Sequence, residues 1–192
     1  MGPDFRQTME VNNPEWVQDF LDASISYPSD QDKMRLAVVL ARENVMRATG
    51  GPFGAAAFDE PTGALVSAGV NGVVRLKTGA AHAEVVAIML AHGAVGCHTL
   101  RGVPGGPFTL ASSCDPCAMC LGAVLWSGVS RLLCGAARED ALALGFDEGP
   151  VFEASYDYLK SRGVAVVRGL LRGEAQEVLR RYRDLGGPIY NG

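Results

Sequence analysis

The 192-residue chain has no apolar run approaching the ~18 residues of a membrane-spanning helix. Its start, Met1-Gly2-Pro3-Asp4-Phe5, lacks the basic then apolar pattern of a secretory signal. Both absences point to a cytoplasmic protein with no membrane partner. A basic excess is also missing: 17 Lys and Arg stand against 21 Asp and Glu, for a net charge of −4, so no global field draws in phosphate backbones and nucleic acid is a disfavoured partner. No disulfide framework is visible either. Five cysteines make an odd count, and Cys97, Cys114 and Cys134 lie apart without a pattern, which in a reducing cell reads as small buried apolar side chains. There is no internal repeat. With 48% hydrophobic residues, the chain can bury the core of one ordinary domain.

Residues 1–12 read as a loose tail, and Asn13-Pro14-Glu15 opens a short helix through Trp16, Phe20 and Leu21. This gives a division into an N-terminal extension with a short helix (1–28) and a single domain (29–192). Ser29-Asp30 starts a helix whose apolar face includes Met34, Leu36, Val38, Leu40 and Val45, and Gly50-Gly51-Pro52 stops it. Runs over 54–58 and 65–70, separated by Asp59-Glu60-Pro61-Thr62-Gly63, predict a β-hairpin. A helix is expected over 83–94, a glycine- and proline-rich loop over 99–107, a strand over 108–112 and a helix from Pro116. Strands over 129–134 and 164–167, a short helix over 139–144 and a closing helix over 172–185 complete the reading. That order implies an α/β fold, a three-layer α/β/α sandwich around a mixed sheet.

Two short motifs carry the chemistry. His82-Ala83-Glu84 opens one predicted helix, and Pro116-Cys117-Ala118-Met119-Cys120 opens another. One neutral imidazole and two thiolates suit Zn²⁺, and three ligands leave a fourth position for water. Cysteines at a helix start are also favoured as thiolates by the unpaired N–H groups there. Alone, Cys-x-x-Cys fits a redox pair or half of a structural zinc knuckle equally well. The upstream His-x-Glu favours a catalytic metal, because a structural site needs a fourth tight ligand. His92 lies too far along the helix to share the metal of His82 and reads as a solvated position. His98 is a poor fourth ligand, since it would leave Glu84 without a purpose. Glu84, two residues from His82, can project beside the metal and carry protons. The same glutamate would also suit the helix dipole. Zinc brings the pKa of its water to roughly 7, so the implied chemistry is hydrolytic deamination of an amine-bearing C=N carbon.

His-x-Glu with Pro-Cys-x-x-Cys is a signature of zinc deaminases, and from about Gly51 to Asn191 the chain resembles the cytidine deaminase superfamily, most closely its bacterial guanine deaminase branch. Gly51-Pro52-Phe53-Gly54-Ala55, Asn71, Cys117 to Gly122 with Trp126, Gly145-Phe146-Asp147-Glu148-Gly149-Pro150 and Ile189-Tyr190-Asn191 carry the resemblance. It implies a cytidine deaminase-like fold with a central five-stranded sheet, one zinc ion per subunit held by His82, Cys117 and Cys120, and Glu84 as the catalytic acid. It further implies Asn71 hydrogen-bonded to a base flanked by Phe53 and Trp126, Ala55 beside it, and Glu148 as a second acid near the amino group. Tyr190 and Asn191 belong to a segment that closes over the pocket, in some members from a partner subunit, and a homodimer is expected. Asp115 departs from the glutamate common at that position.

The substrate implied is a free nucleobase, guanine or a close analogue, processed in purine salvage. Cytosine-type bases, isoguanine and amino-triazines such as ammeline present the same reactive unit. Nucleosides and transfer-RNA adenosine are rivals, the latter because residues 160–183 hold Lys160, Arg162, Arg168, Arg172, Arg180, Arg181 and Arg183, diluted by Glu174, Glu177 and, just beyond, Asp184. A non-enzymatic structural zinc module is the alternative from a different class.

Overall fold

In the computed structural model, which describes residues 8–22 and 24–191, alternation along the central strands divides the core into two layers. β1 (Gly54–Asp59), β2 (Leu65–Val70), β3 (Phe108–Cys114), β4 (Arg131–Ala136) and β5 (Ala165–Val167) form one sheet in the order β2-β1-β3-β4-β5. β1 is antiparallel to β2 and β3, whereas β3–β4 and β4–β5 are parallel. Every residue of β3 is buried, as expected of a strand covered on both faces. Ala111 and Leu133 point into one apolar layer, Leu110 and Leu132 into the other.

The first layer is filled by α1 (Asp30–Met46) and α7 (Arg172–Asp184). Ser29 and Asp32 make a capping box that fixes the start of α1. Ala175, Val178, Leu179 and Tyr182 form the single apolar stripe by which α7 docks. On the opposite face lie α3 (Ala83–Val95), α4 (Ala118–Ser127) and α6 (Glu153–Ser161). The expected mixed five-stranded α/β/α sandwich is therefore present.

Several boundaries differ from the sequence expectation. α1 ends at Met46, before the glycines read as its stop. α4 begins after Cys117 rather than at Pro116, and β4 runs from Arg131 to Ala136 rather than over 129–134. Two helices had no counterpart: α2 (Val73–Leu76), a single turn, and α6, a nine-residue helix that buries Tyr156 and Leu159. With α5 (Arg138–Leu142), α6 forms the crossover from β4 to β5.

Of the tail expected over 1–12, residues 1–7 lie outside the described residues, while Asn12 is held by Arg75, whose Nη1 donates to Asn12 Oδ1 at 2.7 Å. The Asn13 side chain donates to the Ala68 carbonyl at 2.8 Å and accepts the Val70 N–H at 3.2 Å. The following segment Glu15–Phe20 is a 3₁₀-helix whose Val17 is fully buried in the first layer.

Candidate active site

The carboxyl end of β3 and the starts of α3 and α4 converge. His82 is the N-cap of α3, Cys117 is the N-cap of α4, and Cys120 sits in the first turn of α4. Both cysteine sulfurs lie 3.5 Å from His82 Nδ1, and the three donor atoms fall within 4.8 Å of one another. Among the described residues this is the one group of His, Cys, Asp and Glu side chains placed to hold a metal ion. Its donor set, one imidazole and two sulfurs at helix starts, fits Zn²⁺ with an open fourth position. A hydrogen bond from Cys120 pulls the Cys117 thiol down to about 4 against the effect of burial, with His82 adding to the shift. That shared hydrogen bond, burial and the charge of Glu84 push Cys120 up. Metal binding requires both sulfurs as thiolates, so it releases whatever protons the pair still holds.

Glu84, just 6% exposed, lies between the metal ligands and β3. Ser112 Oγ donates to its Oε1 at 3.1 Å and the Cys120 thiol approaches Oε2 at 3.4 Å. Burial, and then the negative charge at Cys117, raise its carboxyl above the usual range. A glutamate held beside a metal with a raised affinity for protons is equipped to accept one and give it back.

The pocket in front of these groups has a volume of about 360 Å³. Asn71 lines it from the end of β2 and is 1% exposed. Its Oδ1 accepts the Val73 N–H at 3.3 Å, which leaves Nδ2 buried without a partner. Asn44, fully buried on α1, had no assigned role in the sequence; its Nδ2 donates to the carbonyls of Gly51 at 2.9 Å and Asn71 at 3.0 Å, tying two pocket loops to the helix. Gly50 and Gly51 permit this approach. A Cβ on Gly50 would sit 2.0 Å from the Asn71 carbonyl oxygen, and one on Gly51 would sit 1.8 Å from Tyr190 Oη. Tyr190 Oη is itself buried and unpartnered, and burial raises its pKa.

Phe53 reaches the pocket as expected and meets Phe146 edge-on at 5.1 Å; Phe146 in turn meets Tyr190 at 5.2 Å. Glu148 also lines the pocket, 7% exposed, with its carboxyl pushed up to about 8 by burial and then by the charges of Cys117 and Glu84. Asn191 stands at the rim, where its amide donates to the Gly145 carbonyl at 3.0 Å and accepts the Asp147 N–H at 2.8 Å.

Two expected contacts are not made within this chain. Trp126 is 79% exposed and lies outside the pocket, because it sits at the far end of α4, roughly 13 Å along the axis from Cys117. Ala55 is fully buried inside β1, packed in the second apolar layer rather than lining the pocket. Of the other histidines, His98 is exposed, whereas His92 is half-buried with Nε2 3.0 Å from the Ser127 carbonyl, linking α3 to the end of α4 rather than being simply solvated. Cys114 and Cys134 are buried, with thiols pushed well up by burial, while Cys97 is half-buried.

Comparison with known proteins agrees with this geometry. The family model of the cytidine and deoxycytidylate deaminase zinc-binding region matches residues 28–136. Guanine deaminase of Bacillus subtilis is 37% identical over 120 residues, covering 62% of this chain and 72% of that protein. A solved guanine deaminase from Nitrosomonas europaea superposes with a TM-score of 0.88 at 36% identity, covering 95% of this chain and all of that one. The tRNA-specific adenosine deaminase of Haemophilus influenzae is 30% identical over 158 residues, 82% of this chain and 84% of that protein. With the His-x-Glu and Cys-x-x-Cys residues assembled at one zinc-binding centre, the chain belongs to the cytidine and deoxycytidylate deaminase zinc-binding family.

Proposed function

We propose that the protein hydrolytically deaminates a free nucleobase, with guanine or a close analogue as first substrate. One observation carries this reading: the metal ligands His82 and Cys117, Glu84 and the unpartnered Asn71 amide all line one pocket of about 360 Å³, with the third ligand, Cys120, buried within 4.8 Å of the other two. That size lies near the lower end of small-molecule sites and suits a flat base better than a nucleoside. Similarity to guanine deaminases, over 95% of the chain in the Nitrosomonas structure and 62% in the Bacillus protein, supports the choice of base.

Zinc, held by His82, Cys117 and Cys120, supplies Lewis acidity that makes a water molecule acidic near neutral pH. The chain's own residues do the rest. Asn71 Nδ2 donates to a ring acceptor and Phe53 walls the base, so the amine-bearing carbon faces Glu84. Glu84 accepts a proton from the attacking water and delivers it to a ring nitrogen as the new C–O bond forms. It then carries the second proton to the exocyclic amine as the C–N bond breaks and ammonia leaves. Glu148 hydrogen-bonds the amine side of the base, and Tyr190 shuts water out above it.

Transfer RNA is disfavoured as a partner because most of its candidate contacts are already paired with acids: Lys160 with Asp157, Arg168 with Asp115, Arg172 with Asp140, Arg180 with Glu177 and Arg183 with Asp184. A homodimer is supported by Trp126 on α4 and by Phe152 and Tyr158 at α6, which are 79%, 66% and 56% exposed. Among the described residues no helix is long and apolar enough to cross a membrane.

The test is ammonia release by zinc-loaded protein from guanine, isoguanine, cytosine, ammeline, adenine and the matching nucleosides. Guanine is expected to give the highest kcat/KM. Higher activity on a nucleoside or on transfer RNA would overturn the substrate assignment, and no release from any of them would overturn the reading itself.

A further inference from the structure

Glu148 sits in an irregular turn between α5 and α6, an unpromising support for an acid that must be held to a fraction of an ångström. Its backbone is nevertheless fixed on both sides. The Glu148 carbonyl accepts the Ala118 N–H at 3.0 Å, from the first residue of α4. The next carbonyl, that of Gly149, accepts Nη2 of Arg138 at 3.1 Å. Gly149 adopts a positive φ of 67°, and a Cβ there would stand 3.1 Å from the Ala118 side chain, so the turn is pressed against the helix start.

Arg138 is the first residue of α5, and its placement has a deeper origin. Asp115, 2% exposed, accepts its backbone N–H at 3.3 Å. Asp115 also receives the guanidinium of Arg168 through Nε and Nη2, and Arg168 Nη1 donates to Glu153 at 2.8 Å. The Arg168 guanidinium lies over the Tyr156 ring at 4.3 Å. An ion pair of this kind locks the aspartate that locks α5. Asp115 immediately precedes the Pro-Cys-x-x-Cys motif, so one buried carboxylate references the turn of Glu148 to the metal ligands. The Asp115 carboxylate is thus engaged by the Arg138 backbone N–H and the Arg168 guanidinium.

We infer that Arg138 is a positioning residue for Glu148, acting through the Gly149 carbonyl, with Asp115 and Arg168 as its anchor. The inference rests on the reading of Glu148 as a group that contacts the base. Arg138 does not line the pocket. Its loss frees the turn, and the cost falls on whatever Glu148 does.

A double-mutant cycle separates this from a general structural role. Arg138→Met is measured alone and in a Glu148→Gln background, as kcat/KM for guanine and, where turnover is too slow to follow, as the Kd for guanine, which an inactive variant leaves intact. Misplacement of an active group by about 1 Å costs up to about a hundredfold, so Arg138→Met is expected to lower kcat/KM roughly tenfold to a hundredfold in the wild-type background and less than about twofold beside Glu148→Gln. Equal factors in both backgrounds, or no loss in the first, would overturn the inference. Should Arg138→Met fail to fold with full zinc content, Arg138→Lys carries the same cycle with a smaller perturbation. No effect of Glu148→Gln alone would instead overturn the role of Glu148 itself, so the two failures are distinguishable.

Discussion

The two ends of the sheet hold polar clusters of opposite character. At the amino ends of β3 and β4, Lys33, 1% exposed, pairs with Glu60 at 3.2 Å. Arg131 donates to both Glu60 and Asp30, and Thr109 donates to Glu60. Every charge there has a partner, and no substrate is needed to complete it. At the carboxyl end of β3, Asn71 Nδ2 and Tyr190 Oη are buried with no partner, and Glu84 and Glu148 sit where burial and nearby negative charge raise their pKa values. Buried polar groups left unsatisfied cost stability, so two of them lining one pocket beside two perturbed acids point to a ligand that supplies the partner. A completed network supports structure; an incomplete one of the same size marks a site.

This contrast can be broken by substitution. The largest effect is expected from Cys120→Ala, which removes a metal ligand: zinc content should fall well below one per chain and ammonia release by more than about 10⁴-fold. Metal analysis beside the activity assay checks this. Next is Asn71→Ala, which deletes the unpartnered amide. It should lower kcat/KM about tenfold to a hundredfold, roughly 1.4–2.7 kcal/mol of transition-state binding, with the melting temperature within about 3 °C of wild type.

Glu60→Ala is the reciprocal case and should do the opposite. It leaves Lys33 buried without a partner and should cost about 2–3 kcal/mol of stability in denaturant unfolding at neutral pH, with kcat unchanged. Burial alone would raise the Glu60 carboxyl, but the contacts from Thr109, Lys33 and Arg131 outweigh it and hold the pKa below the usual value. A folded-state pKa below the unfolded one contributes stability above about pH 4.3 and loses it as pH falls through the folded value. The gap between wild type and variant should therefore close below about pH 4. The smallest effect is expected from Tyr190→Phe, which removes an unsatisfied hydroxyl. Stability should hold or rise by up to about 1 kcal/mol, and KM should increase a few-fold. A loss of kcat in Glu60→Ala, or a loss of stability in Asn71→Ala, would end the distinction between the two clusters.

Much of this was legible in the sequence because the informative features are local. His82, Glu84, Cys117 and Cys120 sit at helix starts that proline and apolar periodicity announce, and the hairpin is framed by its turn residues. What stayed hidden depends on long-range placement. Asn44 shows nothing in its own segment that predicts its bridge to Gly51 and Asn71. Asp115 and Arg168 meet across 53 positions of chain, and Lys33, Glu60 and Arg131 come together from three separate elements. Trp126 teaches the converse: the family resemblance implied a wall of the base pocket, yet the rise of α4 carries it to the surface of this chain. α6 was missed although Tyr156 and Leu159 stand at helical spacing, because a nine-residue element with two buried positions offers a short run to read.

The most direct measurement is ammonia release from guanine by Glu84→Gln protein with its zinc counted. The substitution keeps the shape of the side chain and its neighbours but removes the proton carrier. Turnover should fall by about a thousandfold or more, while zinc remains at one per chain and the melting temperature does not decrease. Activity within about tenfold of wild type, at full zinc occupancy, would contradict the assignment of Glu84 as the group that moves protons in this site.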